Sequence, residues 1–333
     1  VMIKHSTFKP AWWLGNSHLQ TLYPAIFRHP ASLLHRQRER LQLLEGDFLD
    51  LDFYGDSQQP LVLLLHGLAG NSHSGYILGL QAYLDRHNLA SVVMNFRGCS
   101  GEANRLARAY HAGDSEDLHQ VYKHLQKQFP GRTLAVVGFS LGGNILLKWL
   151  GEGREIQGLS AAIAISVPLQ LDVCATRLDS GFSKLYREYL LNDLKRFMHD
   201  KYSGLIRQGL VMEAEKIADL GDLRKIHSFW EYDDKVVAKL HGFKGVEDYY
   251  RQASARQYLA AIEHPTLVLQ AVDDPFMTSA ILPSAAELSS SIEFECSENG
   301  GHVGFISGAI PGFAEYWLEQ RITRFLKQYL PSG

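Results

Sequence analysis

Cysteine is scarce in this chain of 333 residues: Cys99, Cys174 and Cys296 are the only three, at wide and unrelated spacings. An odd count without a C-x-x-C pair excludes a disulfide framework and offers no zinc motif. The expectation is three unpaired thiols, packed as small hydrophobes in a reducing cytoplasm. Basic charge is equally unconcentrated. The net charge is −3 and no Lys/Arg block occurs, so the electrostatic footprint of a nucleic-acid binder is missing. No apolar run approaches the roughly 18 residues of a membrane span, so no integral membrane association is expected. The opening Val1-Met2-Ile3-Lys4-His5 lacks the charged, apolar, small-residue order of a secretory leader. Internal repeats and low-complexity tracts are absent as well.

What is present is the composition of an ordinary soluble globular protein, 46% apolar and 21% charged. The length exceeds the usual single-core size of about 100–200 residues, but large α/β sheets run longer as one domain. Residues 8–30 are aromatic (Phe8, Trp12, Trp13, Tyr23, Phe27) and broken by Pro10 and Pro24, which reads as an irregular arm packed over the body. Two short runs, 41–44 and 48–53, flank Gly46-Asp47 and predict an antiparallel hairpin.

An alternation then begins. Leu61 to Leu65 is continuously apolar, as a parallel strand buried on both faces must be. Further strands are predicted at 91–96, 133–137, 161–167, 266–272 and 292–296. Helices are predicted at 75–86, at 115–128 with Asp114 as N-cap, and at 313–329. Strand and helix in alternation predict a doubly wound, mostly parallel α/β sheet. From Pro168 to His264 only helical patterns occur, among them 182–198 and 214–226. A gap of that length is an inserted element, and it lies where ligands bind in such sheets. The expected division is an N-terminal arm at 1–38, a core at 39–168 and 265–333, and a helical cap at 169–264.

The strand at 133–137 runs into Gly138-Phe139-Ser140-Leu141-Gly142, and an amphipathic segment follows. A strand that stops at G-x-S-x-G and restarts as a helix is a nucleophile elbow, a sharp turn that lifts the serine Oγ clear of the sheet. Such a serine needs a base, an acid that orients the base, and donors for an oxyanion, in the chain order Ser, Asp/Glu, His. His302, in Asn299-Gly300-Gly301-His302-Val303-Gly304, is the expected base. Asp273 and Asp274 both follow the 266–272 strand. Asp274, before Pro275, is preferred as the acid and Asp273 is read as a turn cap. The backbone N–H groups of Leu141 and Leu68 are the candidate oxyanion donors. His66 is read as a residue that shapes its turn, Arg97 as a loop brace in preference to an anion site, and His18 as packing or pocket lining. The Phe182–Phe197 stretch fits an ordinary buried face as well as a lipid contact.

Five segments together carry a resemblance: His66-Gly67-Leu68-Ala69-Gly70, Asn95-Phe96-Arg97-Gly98-Cys99-Ser100-Gly101, Gly138 to Asn144, Asp273-Asp274-Pro275-Phe276, and Gly300-Gly301-His302-Val303-Gly304-Phe305. With Asn16-Ser17-His18-Leu19-Gln20-Thr21 they make the chain similar to the YheT-type branch of the α/β-hydrolases, relatives of the ABHD esterases and lipases. The resemblance implies an α/β-hydrolase fold, a charge-relay triad of Ser140, Asp274 and His302, and carboxylesterase activity on small-molecule esters of short to medium acyl chain. No metal and no organic cofactor is required. Lipase, phospholipase or thioesterase activity on the same residues stays open, as does a non-catalytic binding module on the same scaffold.

Overall fold

Leu61–Leu65 forms a strand buried along its whole length, and its side chains divide by parity between two apolar layers. Leu61, Leu63 and Leu65 join one core, Val62 and Leu64 the other. This is the period of two expected of a pleated strand covered on both faces. The structure is a computed structural model describing residues 3–28, 30 and 35–330. Nine strands build one sheet: β1 (Ile3–His5), β2 (Gln37–Gln42), β3 (Phe48–Tyr54), β4 (Leu61–Leu65), β5 (Ala90–Asn95), β6 (Leu134–Phe139), β7 (Leu159–Ile165), β8 (Thr266–Ala271) and β9 (Ile292–Ser297). Their order is β1-β9-β8-β7-β6-β4-β5-β3-β2. Only β3 runs against the other strands: it pairs antiparallel with β2, in the hairpin expected around Gly46-Asp47, and with β5.

Helix α1 (Ser17–Phe27) lies in the arm, and α2 (Gly75–Asp85), α3 (Ser115–Gln128) and α4 (Leu141–Gly151) cross between strands. Leu118, Val121 and Leu125 of α3 and Ile145, Leu146 and Trp149 of α4 fill the first core. Ile77, Leu80 and Leu84 of α2 fill the second, on the opposite face. From β7 to β8 the chain forms helices alone: α5 (Leu171–Leu178), α6 (Ser183–Arg207), α7 (Val211–Ala218), α8 (Phe229–Tyr232), a π-helical turn (Asp233–Ala238), α9 (Lys239–His241), α10 (Val246–Ala253) and short 3-10 turns. A closing helix α11 (Trp317–Tyr329) packs Leu318, Ile322, Phe325 and Leu326 into the second core.

Several boundaries differ from the sequence reading. The arm is not irregular throughout: Asn16 caps α1 by accepting from the His18 N–H at 2.8 Å, and the helix continues through Pro24. The 214–226 pattern is interrupted after α7, where Gly221 takes φ +82°. Residues 313–316 precede α11 instead of opening it. Asp114 stands at the N-cap of α3, but its carboxylate accepts from Arg108 at 2.8 Å and caps no backbone N–H. Cys174 is buried, whereas Cys99 and Cys296 are half-buried, and all three are free.

Chain order reverses direction between β4 and β6, which opens a crevice at the carboxyl ends of the parallel strands. Arg97, just after β5, braces one side of it. Its side chain is fully buried, donates twice to Asp117 of α3 at 2.7 Å and once to Asp47 at 3.0 Å, and pairs with Glu45. The β2–β3 turn and α3 are thereby held by one guanidinium. Burial and the neighbouring Asp114 push the Asp117 carboxyl up to about 6 even so. Removing the cation strands three acids, and one-sided loss of a buried pair costs about 3–5 kcal/mol. Arg97→Met is therefore expected to lower unfolding free energy by that amount in a denaturant titration, and an unchanged midpoint would contradict the brace.

Candidate active site

Ser140 stands between the last residue of β6 and the first of α4, with φ +50° and ψ −118°. A side-chain-bearing residue adopts this conformation only where surrounding structure enforces it. Here the Ser140 N–H donates to Ile165 O at 2.8 Å, and the Ser140 carbonyl accepts from Asn144 N at 3.0 Å. Strand and helix approach so closely that a Cβ on Gly138 would lie 2.5 Å from Gly142 O, and one on Gly142 would lie 2.5 Å from His66 O.

The loop after β9 brings His302 to this turn. Its Nε2 is 2.9 Å from Ser140 Oγ, and its Nδ1 is 2.7 Å from Asp274 Oδ2. The Asp274 side chain is fully buried, and its other oxygen accepts from the Phe276 N–H at 2.9 Å. Phe276 stacks on the imidazole, 4.0 Å between ring centres and 10° between planes. Asp273 is turned away: it accepts from Gly301 N at 2.9 Å, and burial raises its carboxyl above the usual range. One carboxylate thus faces the imidazole and the other closes the histidine loop.

The early loop lies against the same serine, since a Cβ on Gly67 would sit 3.4 Å from Ser140 Cβ. Among the described residues no protein acceptor takes the N–H of Leu68 or Leu141, and both residues line the cavity beside Ser140. His66 shapes this turn: its Nδ1–H donates to Gly67 O at 2.8 Å and its Nε2 accepts from Phe96 N at 3.1 Å. Burial depresses its pKa to about 4, so the ring stays neutral.

Four supporting side chains are not legible in the sequence. Tyr76 OH accepts from Gly67 N at 2.8 Å and Tyr110 OH from Ala69 N at 3.0 Å, fixing the early loop. Thr21 Oγ1, from α1 in the arm, accepts from the His302 N–H at 2.9 Å. Ser166 Oγ accepts from the Val303 N–H at 3.0 Å. None of these residues has a local pattern that announces its role. His18 packs: its ring lies 4.4 Å from that of Phe182, and Nδ1 is 3.0 Å from Tyr186 OH. The Phe182–Phe197 stretch is mixed, with Tyr186, Leu191 and Leu194 buried and Phe182, Leu185 and Tyr189 exposed.

A cavity of about 360 Å³ opens on Ser140 and His302. Thr21, Pro24 and Ala25 of α1 contribute one wall. Leu171, Cys174 and Leu178 of α5, Leu190 and Leu194 of α6, and Phe229 of α8 contribute another. The segment between β7 and β8 therefore supplies much of the apolar lining. Among the described residues no three His, Cys, Asp or Glu side chains converge closely enough to hold a metal ion.

Comparison with known proteins agrees with this architecture. Residues 60–309 match the family model described as the alpha/beta hydrolase fold. The chain is 38% identical over 330 residues to the Escherichia coli (strain K12) protein named "Putative esterase YheT", covering 98% of this chain and 94% of that one. It is 29% identical over 338 residues to "Phospholipase ABHD3" of Bos taurus, covering 98% and 80%. It is also 28% identical over 280 residues to the "Monoacylglycerol lipase" of Saccharomyces cerevisiae, covering 82% and 60%. Among solved structures, the Pyrococcus furiosus esterase Pf2001 superposes with a TM-score of 0.58 at 15% identity, over 99% of both chains, a likeness of fold.

The turn at Ser140 leaves no room for added atoms. Gly138→Ala and Gly142→Ala each press a methyl against backbone, which cannot yield as a flexible side chain would. Overpacking of this kind costs about 1–3 kcal/mol. Both variants are expected to melt below the parent protein in calorimetry, whereas Gly131→Ala, with nothing within 4 Å of its Cβ, tests φ strain (φ +78°) without the clash and should lose less.

Proposed function

The chain belongs to the α/β-hydrolase family, and we propose that within it the protein is a serine carboxylesterase with Ser140 as nucleophile, His302 as base and Asp274 as the orienting acid. The observation that carries the reading is the unbroken line of two hydrogen bonds from Ser140 Oγ through the His302 ring to Asp274. In this mechanism His302 Nε2 takes the serine proton as Oγ adds to the ester carbonyl carbon. Asp274 accepts the Nδ1–H, which fixes the ring tautomer and stabilises the imidazolium. The N–H groups of Leu68 and Leu141 donate to the oxyanion, where preorganised donors in a water-poor site act most strongly. The C–O bond then breaks, His302 returns the proton to the leaving alcohol, and an acyl group remains on Ser140. Water, deprotonated by the same imidazole, releases the acid and restores the serine.

The helices between β7 and β8 serve in this reading as a cap, 169–264, over a core of 39–168 and 265–333, with 1–38 as the arm. Their apolar side chains suit the acyl chain of a small ester. About 360 Å³ is near the lower end for ligand pockets, which favours short to medium chains. The names of the bovine and yeast relatives favour acylglycerol or phospholipid esters as the second reading, on the same residues. No helix among the described residues is long and apolar enough to cross a membrane. The three free thiols accord with a cytoplasmic setting.

Two measurements test the assignment. Ser140→Ala should abolish labelling by a fluorophosphonate and lower nitrophenyl-ester turnover on the order of 10⁶-fold, as removal of such a nucleophile does. Turnover within about tenfold of the parent, only ~1.4 kcal/mol of barrier, would count against Ser140 as nucleophile, and a parent that neither takes the label nor turns over esters would favour a binding module. The two aspartates should separate sharply. Asp274→Asn is expected to cost on the order of 10⁴ in kcat, because the amide oxygen stays with the Phe276 N–H and the NH2 then donates to Nδ1, which puts the ring proton on Nε2 where it blocks the base. Asp273→Asn, whose side chain meets backbone N–H groups of the histidine loop and not the imidazole, should cost far less. The reverse ranking would move the acid to Asp273.

A further inference from the structure

The cavity at Ser140 has a polar stretch of wall that the acyl transfer above does not use. His111, His241 and Asp233 all line it, among apolar neighbours that include Val236, Val237 and Leu240. The two imidazoles meet edge to face, 4.5 Å between ring centres. His111 Nδ1 accepts from Gly113 N at 3.1 Å, so the neutral ring carries its proton on Nε2, and that N–H has no protein acceptor among the described residues. His241 Nε2 is buried without a hydrogen-bond partner among the described residues. Asp233 Oδ2 accepts from Tyr250 OH at 2.7 Å, and among the described residues no cationic side chain pairs with this carboxyl. Buried polar groups left without partners are costly, so a fold retains them where something else satisfies them.

The backbone supplies an independent pointer. Asp233 opens the π-helical turn Asp233–Ala238, which also carries Val236 and Val237 to the wall. Such turns are rare and concentrate at functional sites. The electrostatics narrow the ligand. Burial holds the pKa of His111 at about 3 and pushes the Asp233 carboxyl up to about 7, while His241 is lowered by burial and by the adjacent His111. The cluster therefore offers hydrogen bonds without a fixed positive charge. That matches an uncharged hydroxyl better than a phosphate or a carboxylate, which call for Arg or Lys.

Resting on the esterase reading, we propose that His111, His241 and Asp233 form a hydrogen-bonding subsite that recognises a hydroxyl group of the ester, so that the preferred substrates are hydroxylated esters and not plain alkyl ones. The hydroxyl can belong to the acyl chain or to a polyol alcohol, and two substrate pairs distinguish them. One pair is nitrophenyl hexanoate and nitrophenyl 6-hydroxyhexanoate; the other is propyl hexanoate and glyceryl monohexanoate. In one pair the intact protein should favour the hydroxylated ester by at least about tenfold in kcat/KM, carried mainly in KM, the scale of one well-made buried hydrogen bond. His241→Phe and Asp233→Ala should each bring that ratio to within about twofold of one. Because the ratio is taken within each protein, a general loss of stability cancels, and the intact protein alone decides if a variant does not fold. A ratio near one in both pairs, with plain esters still hydrolysed, overturns the subsite and leaves the esterase reading standing. So does a preference that both substitutions leave intact. If no ester is hydrolysed and fluorophosphonate leaves Ser140 unlabelled, the esterase reading falls and the subsite with it.

Discussion

At Ser140 the backbone turns left-handed in the one residue between strand β6 and helix α4, and much of the structure is arranged around holding it there. A backbone conformation this sparsely populated costs an L-residue roughly 1–3 kcal/mol, so neighbouring contacts must impose it. They do so by proximity. Gly138, Gly142 and Gly143 let α4 close against the ends of β4, β6 and β7 at distances a Cβ would forbid. The strain is not confined to the serine. Of the six non-glycine residues at positive φ among the described residues, Ala69, Ser140, Ser166, Val303 and Phe305 all follow the carboxyl ends of parallel strands, and Asn88 lies elsewhere. Loops that leave one sheet edge and converge on one crevice are bent more sharply than ordinary connections, and the sheet's two apolar layers supply the rigidity that keeps them bent.

Around that crevice, some polar side chains touch the cavity and others hold loops still, and Thr21 does both. His66 and Arg97 belong to the second kind although both sit in conspicuous motifs. His66 is buried and neutral, with each ring nitrogen engaged by backbone. Arg97 is buried because three acids surround it. Thr21 and Ser166 do the same for the histidine loop by accepting consecutive N–H groups at His302 and Val303. The imidazole is thus fixed from behind by backbone, from the side by Phe276 and at Nδ1 by Asp274, leaving Nε2 directed at Ser140.

The legible parts of the sequence share a physical cause. A strand covered on both faces must be apolar at every position, so Leu61–Leu65 and the other central strands declared themselves. A turn that excludes Cβ atoms must contain glycine, so the segment around Ser140 did too. Helix α1 is not legible in the sequence because Pro24 is an ordinary helix breaker, yet it lies in the last turns, where α1 makes few further bonds and Asn16 has already set the start. β1 is not legible either, because three exposed residues pairing with β9 leave no apolar pattern. The end of the predicted 214–226 helix went wrong at Gly221, a residue that stops helices only when the chain needs φ > 0 there.

By itself, then, the sequence determined the alternating sheet, the strained serine turn, the helical insertion after β7 and a short set of candidate side chains, because each of these is written in neighbouring residues through burial period or turn sterics. Only the tertiary structure decided which candidates meet. Ser140 and His302 are 162 residues apart and Thr21 and His302 are 281 apart. Asp273 and Asp274 are adjacent and chemically identical, and only the bend after β8 directs one at the imidazole and the other at Gly301. The wall formed by His111, His241 and Asp233 likewise joins a loop before α3 to the helices between β7 and β8. Contacts of that range depend on strand order and on how helices close over the sheet edge, and no local periodicity encodes them.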